Sequence, residues 1–131
     1  MPGSVLGHGR RGGPRGERGA ATAELAMVLP LLVAVAMGLV WLLVVGAAQV
    51  RVVDAARETA RAVARGDDEG AAVARGLEVA PEGSSVSVGR SDGKVRVVVT
   101  GRVAGPGGLF AHLPAPRLRA EAVALDEAVP P

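Results

Sequence analysis

The sequence predicts an α+β membrane protein, with one N-terminal transmembrane helix continuing into an amphipathic helix, then a small antiparallel β-sheet of two or three strands. Three observations predict it. No charged side chain occurs from Leu25 to Val50. Beyond that run, apolar residues recur at helical spacings as far as Arg65. From Ser84 the period drops to two, and Asp92-Gly93 separates two alternating runs as a two-residue hairpin turn would.

The apolar run is the feature around which the chain is organised. Its 26 residues, at about 1.5 Å each, would span roughly 39 Å as a helix, against about 30 Å of bilayer hydrocarbon. A buried core helix is the competing reading, but only about 80 residues follow the run to wrap it. A secretory signal is a third reading, because Gly46-Ala47-Ala48 offers small residues for release after Ala48. The run, however, is longer than the ~7–15 residues of such signals. Glu24 stands at the apolar edge and Pro30 within the second turn, where a proline removes a helical hydrogen bond and kinks the axis. A charge inside a membrane helix costs about 2.5–3.5 kcal/mol, so such a residue has a partner or a function unless it is solvated at headgroup level.

Charge placement narrows the function classes. The chain has 131 residues and a pI near 10.4, yet the excess is confined to the N-terminal arm. Arg10, Arg11, Arg15 and Arg18 against Glu17 give residues 1–19 a charge of +3, whereas 11 basic and 11 acidic residues follow from Arg51 onward. Basicity beside a span is a topology signal that puts the N-terminus in the cytoplasm and the C-terminal part outside. A nucleic-acid surface would need a basic patch on the folded part with stacking aromatics. The chain has one Trp, one Phe and no Tyr, and no nucleic acid is expected to bind the folded domain. There is no cysteine, which excludes disulfides and thiolate metal sites.

In order, residues 1–19 read as a disordered basic cytoplasmic leader, 20–50 as the transmembrane helix, 51–80 as a helical stalk and 81–131 as a small extracytoplasmic β domain. The glycines Gly7, Gly9 and Gly12 form a G-x-G-x-x-G by chance, with no strand before it or helix after it. In the stalk, Val50, Val53, Ala56, Ala60 and Val63 make a narrow apolar stripe, ended by Gly66 as a C-cap. Asp67-Asp68-Glu69 lacks the alternating ligands of a calcium loop and instead suits the start of a short helix over 69–78, with Val73 and Leu77 on one side. In the hairpin, Val86 and Val88 oppose Ser85 and Ser87, while Val95, Val97, Val99 and Val103 oppose Arg96, Thr100 and Arg102. Residues 104–116 form a Gly/Pro-rich loop whose Leu109, Phe110 and Leu113 would plug the sheet, 117–125 alternates weakly as a third strand, and Val129-Pro-Pro frays.

Chemistry is sparse in this pattern. His8 and His112 are far apart, no nucleophile has a nearby base in a motif, and the serines at 84, 85, 87 and 91 fall at strand edges and a turn. No catalytic residue, metal site or cofactor is expected, and an enzyme is not expected.

Gly19 followed by Glu24 and a hydrophobic helix resembles the class III signal of type IV prepilins. The strings Ala-Glu-Leu-Ala-Met-Val-Leu-Pro (23–30) and Val-Asp-Ala-Ala-Arg-Glu-Thr-Ala-Arg-Ala-Val-Ala-Arg-Gly (53–66) look more specifically like TadE-like minor pilins, pseudopilins of the tight-adherence (Flp) pilus system. The resemblance covers about residues 16–66. It implies cleavage after Gly19 by a prepilin peptidase, Ala20 as the new N-terminus, and Glu24 as the acid that directs assembly. It implies as partners the peptidase, other pilin subunits, the inner-membrane assembly platform and membrane lipid. The expected location is the bacterial membrane, single-pass, or a pilus outside the cell. Two departures from the family pattern stand out: Leu25 where many such pilins carry an aromatic, and the missing cysteines after the span. The alternative function is an unprocessed membrane-anchored interaction protein, and behind it a secreted domain released after Ala48.

Overall fold

A computed structural model describes residues 2–4, 7, 9, 14–103, 112–113 and 115–128. Helix α1 (Pro14–Ala64) is followed by helix α2 (Glu69–Val79) and strands β1 (Ser85–Ser91), β2 (Lys94–Arg102) and β3 (Arg117–Leu125). The α+β architecture is the expected one, with the third strand formed. The chain divides into two units, Met1–Gly38 and Leu39–Pro131.

The first unit contains the opening of α1. Pro14 occupies the first helical position, where its missing N–H costs nothing, and Glu17 lies in the first turn, favourably placed for the helix dipole. Residues 14–19 are therefore helical, not disordered as their composition suggests. The Ala-rich sequence that follows at once favours the helix, which Pro14 and Glu17 only have to start.

The second unit is built on the rest of α1. Ala48, Val52, Ala55, Ala56, Thr59, Ala60, Val63 and Ala64 are buried, and Trp41, Val44 and Val45 pack half-buried against the same core. The core thus reaches back into the uncharged run, and one side of residues 51–64 belongs to it. Two members of the expected stripe are misplaced: Val50 is exposed and Val53 only half-buried. The helix faces two neighbours, so its buried surface is wider than one stripe and is centred on Val52, Ala55 and Thr59.

Gly66, at φ 90°, ends α1 as expected. Its N–H donates to the Val63 carbonyl (3.0 Å) and the Asp67 N–H to the Ala62 carbonyl (3.1 Å), the paired bonds of a Schellman cap. Asp68 then caps α2, its Oδ2 accepting from the Ala71 N–H at 2.9 Å. Asp67 faces Arg75 at 2.9 Å and Arg65 at 3.6 Å, so the acidic cluster is spent on capping and ion pairs. Helix α2 buries Ala72 and Gly76, whereas Leu77 is exposed and Val73 half-buried. Gly76 is there for closeness: a methyl on it would overlap Thr59 Oγ1 and lie 3.4 Å from the Ala55 carbonyl. Thr59, fully buried, reaches the Ala72 carbonyl across the same contact at 3.5 Å.

The sheet is an antiparallel meander in the order β1-β2-β3. Asp92 and Gly93 both have positive φ, 52° and 67°, which gives the hairpin the turn twist that matches its strands. The register pairs Val88 with Val97 and Val99 with Ala120, and Val95, Val97, Val99 and Val103 are buried as their alternation requires. Leu118 and the half-buried Ala120, Ala122 and Ala124 continue that face onto β3. On the other face Arg96 pairs with Glu121 and Ser85 Oγ meets Thr100 Oγ1 at 2.7 Å. The largest fully buried side chains are five valines and Thr59, so this is a core of small residues. Leu113 is exposed and does not plug the sheet; Leu109, Phe110 and the final Val129-Pro-Pro lie outside the described residues.

Candidate processing and assembly segment

Gly19, Ala20, Glu24 and Pro30 all lie on the first unit's part of α1 and are exposed. Nothing lies within 4 Å of the position a Cβ on Gly19 would take. Gly16 and Gly19 weaken the opening turns, each by about 1 kcal/mol relative to alanine, and Thr22 Oγ1 donates back to the Arg18 carbonyl at 2.8 Å. That carbonyl belongs to the residue just before Gly19, and the Gly19–Ala20 peptide is helical. Ala20 and Glu24 are four apart and share a helix face. Among the described residues no ion pair or hydrogen bond reaches the Glu24 carboxylate. Pro30 lies inside the helix, which runs through it. Its ring has no N–H to offer the Ala26 carbonyl.

The apolar run that follows is long and apolar enough to cross a membrane, and its most apolar stretch has no buried residue. A core helix of a soluble protein would be mostly covered. Here Leu25, Met27, Leu31, Leu32 and Val35 each expose more than half of their surface, with Met27 at 83%. Such a continuous apolar surface is far beyond the few hundred Å² that a soluble monomer exposes.

Among the described residues no group of three or more His, Cys, Asp or Glu side chains is placed to hold a metal ion. His112 sits in an exposed turn, and His8 lies outside the described residues.

Among the described residues these features define a class: a protein with one candidate membrane helix, led by a glycine and an unpaired carboxylate, and a small α+β head. Within that class, residues 19–61 match the model of the family described as TadE-like protein, and the chain is TadE-like over that segment. The match begins at Gly19 and lies wholly within α1. The similarity is confined to those residues and leaves α2 and the sheet outside it. No curated protein and no solved structure matches the chain.

Sequence reasoning named the residues of this segment but missed the head's hold on α1. The signal available was Trp41, whose indole favours a boundary position, and the spacing of Trp41, Val44, Val45, Ala48 and Val52, which is helical and one-sided.

Proposed function

We infer that the chain is a minor pilin or pseudopilin, a structural or assembly subunit of a tight-adherence pilus, processed after Gly19 by a prepilin peptidase. The observation that carries this reading is the coincidence of the family match, which starts at Gly19, with a partnerless carboxylate at Glu24 on the rim of an uncovered apolar helix. Processing removes the +3 arm and leaves an α-ammonium at Ala20. In an apolar bundle of subunits an ionised Glu24 is costly without a counter-charge. The ammonium of a neighbouring subunit supplies it and sets the axial register between helices. Ala34, Gly38 and Gly46, all exposed, let those helices approach closely. The N-terminus is cytoplasmic and the head lies outside, in keeping with the basic arm.

Partners under this reading are the prepilin peptidase, other pilin subunits and the inner-membrane assembly platform. The test is the N-terminal residue of the membrane-associated protein, measured by mass spectrometry in cells carrying the peptidase. A start at Ala20 is expected. A start at Met1 or Pro2 means an uncut membrane anchor, and a start at Gln49 means a secreted domain; either overturns the proposal.

A further inference from the structure

The strands run back alongside the second unit's part of α1. At one end the Glu127 N–H donates to the Ala64 carbonyl (3.0 Å) and the Asp126 N–H to the Gly93 carbonyl (2.8 Å), which fixes the hairpin tip beside the end of α1. At the other end a Cβ on Gly101 would lie 3.8 Å from Val52 Cγ2. Gln49 Nε2 also donates to the Arg119 carbonyl there, at 3.3 Å. Arg102 and Val103 line a shallow groove together with Val44, Ala47, Ala48 and Arg51. The sheet therefore returns the end of β2 and the start of β3 to the place where the uncharged run stops.

Register sets the chemistry of that end. Arg102 lies opposite Arg117, and Thr100 opposite Arg119, all four exposed on the outer face of the sheet. With Arg51 they gather four guanidiniums. The acids nearby are Glu82, which lines the same grooves, and Glu121, which pairs with Arg96 and stands 4.0 Å from Arg119. Among the described residues no carboxylate is within ion-pair distance of Arg51, Arg102 or Arg117. Like charges directly opposite one another across an antiparallel pair are destabilising. An anion between Arg102 and Arg117 removes that penalty, and guanidinium forks match phosphate oxygens two at a time. The same groove has an apolar wall, Val44 and Ala47, contributed by the uncharged run itself.

We propose that Arg51, Arg102, Arg117 and Arg119 bind the phosphates of anionic phospholipids at the bilayer face beside Val44–Arg51, with the acyl chains against Val44 and Ala47. The proposal rests on α1 spanning a membrane. A free phosphate would use the guanidiniums but not the apolar wall.

The chain's one tryptophan, Trp41, lies one turn from Val44 and reads the test. The full-length protein is reconstituted in phosphatidylcholine vesicles containing phosphatidylglycerol, with bromine on the acyl chains of one lipid or the other. Trp41 quenching then gives the local enrichment of each lipid. Phosphatidylglycerol is expected to be enriched about threefold to fivefold, the scale of one arginine–headgroup attraction. The enrichment is expected to fall to about one in Arg102→Gln/Arg117→Gln/Arg119→Gln, and to persist when all three become Lys. Lys94→Gln/Arg96→Gln, on the same face but toward the hairpin tip, leaves it unchanged. Equal quenching by the two lipids in the wild-type protein overturns the proposal and points to a protein partner for the arginines. Enrichment that survives the triple Gln change overturns it too. Absence of quenching by either lipid overturns the membrane span itself.

Discussion

Replacing Gly76 with Ala is the sharpest test of how the head is packed, because two effects of opposite sign meet at one methyl. In an exposed helix the change stabilises by about 0.8–1 kcal/mol through helix propensity. At Gly76 the new methyl would overlap Thr59 Oγ1, a fully buried hydroxyl, and touch the Ala55 carbonyl at 3.4 Å. Either α2 shifts away from α1 or Thr59 rotates and gives up its reach to the Ala72 carbonyl. Overpacking of a tight contact costs about 1–3 kcal/mol, and an orphaned buried hydroxyl costs about the same. The net expectation is a loss of about 1–2 kcal/mol. Thr59→Ala removes the obstructing atom, so the double variant is expected to recover at least half of the loss, a coupling of about 1 kcal/mol. Urea unfolding of the full chain in detergent, followed by far-UV ellipticity and by Trp41 fluorescence, measures all four corners of the cycle. Gly76→Ala proving neutral or stabilising would refute the close crossing, as would a double variant no better than Gly76→Ala alone.

Other expectations follow from the same packing. Val97→Ala, at a fully buried position, should cost about 2 kcal/mol, while Val123→Ala, half-exposed on the outer face of β3, should fall within about 0.5 kcal/mol in the same unfolding assay. Gly93→Ala forces a Cβ into φ 67° and should cost about 1–2 kcal/mol, with the loss visible as faster hydrogen exchange at the Asp126 amide. Asp68→Ala removes the α2 cap and should cost about 1 kcal/mol. Glu24→Ala should leave membrane insertion intact, since it removes a charge from the span, but should abolish recovery of the subunit in sheared pilus fractions; normal recovery would defeat the assembly role.

Legibility in the sequence tracked how local the signal was. The β1–β2 hairpin was legible in full, since alternation and Asp92-Gly93 specify faces and turn without help from the rest of the chain. The caps Gly66 and Asp68 were legible for the same reason. The buried face of α1 was not: Val50 and Val53 outweigh Ala55 and Thr59 by side-chain size, yet the small pair is buried because α2 must come close. Small residues carry little hydrophobic signal, and what decides their burial is the partner helix, about twenty residues away. The candidate processing segment was named through its resemblance to prepilin signals, and the structure adds that its side chains are uncovered. The arginine cluster was invisible because Arg51, Arg102 and Arg117 meet only through register and the return of the strands.

On the proposed membrane span the uncharged run serves two environments, and their division limits where a bilayer face can lie. Composition ends the run at Val50, but from Trp41 onward one side of α1 is packed on the head while Leu42, Leu43 and Val50 stay exposed. Leu25–Val40, ahead of Trp41, number 16 and rise only about 24 Å as a helix. That is short of the ~30 Å of hydrocarbon a span must cross. The missing turn or so must come from Trp41–Val45, whose exposed side is apolar and whose other side is covered by protein. A bilayer face drawn through that turn places the indole of Trp41 at the interface, where such rings concentrate. The next turns, at Ala48 and Arg51, then stand at the depth of the phosphates, with Arg102 beside them. A face drawn at Val50 instead would carry Glu82 and Arg102 into hydrocarbon beside Val44 and Ala47, at a cost of several kcal/mol. On the proposed span, helix length and arginine placement, which rest on different residues, point to the same boundary.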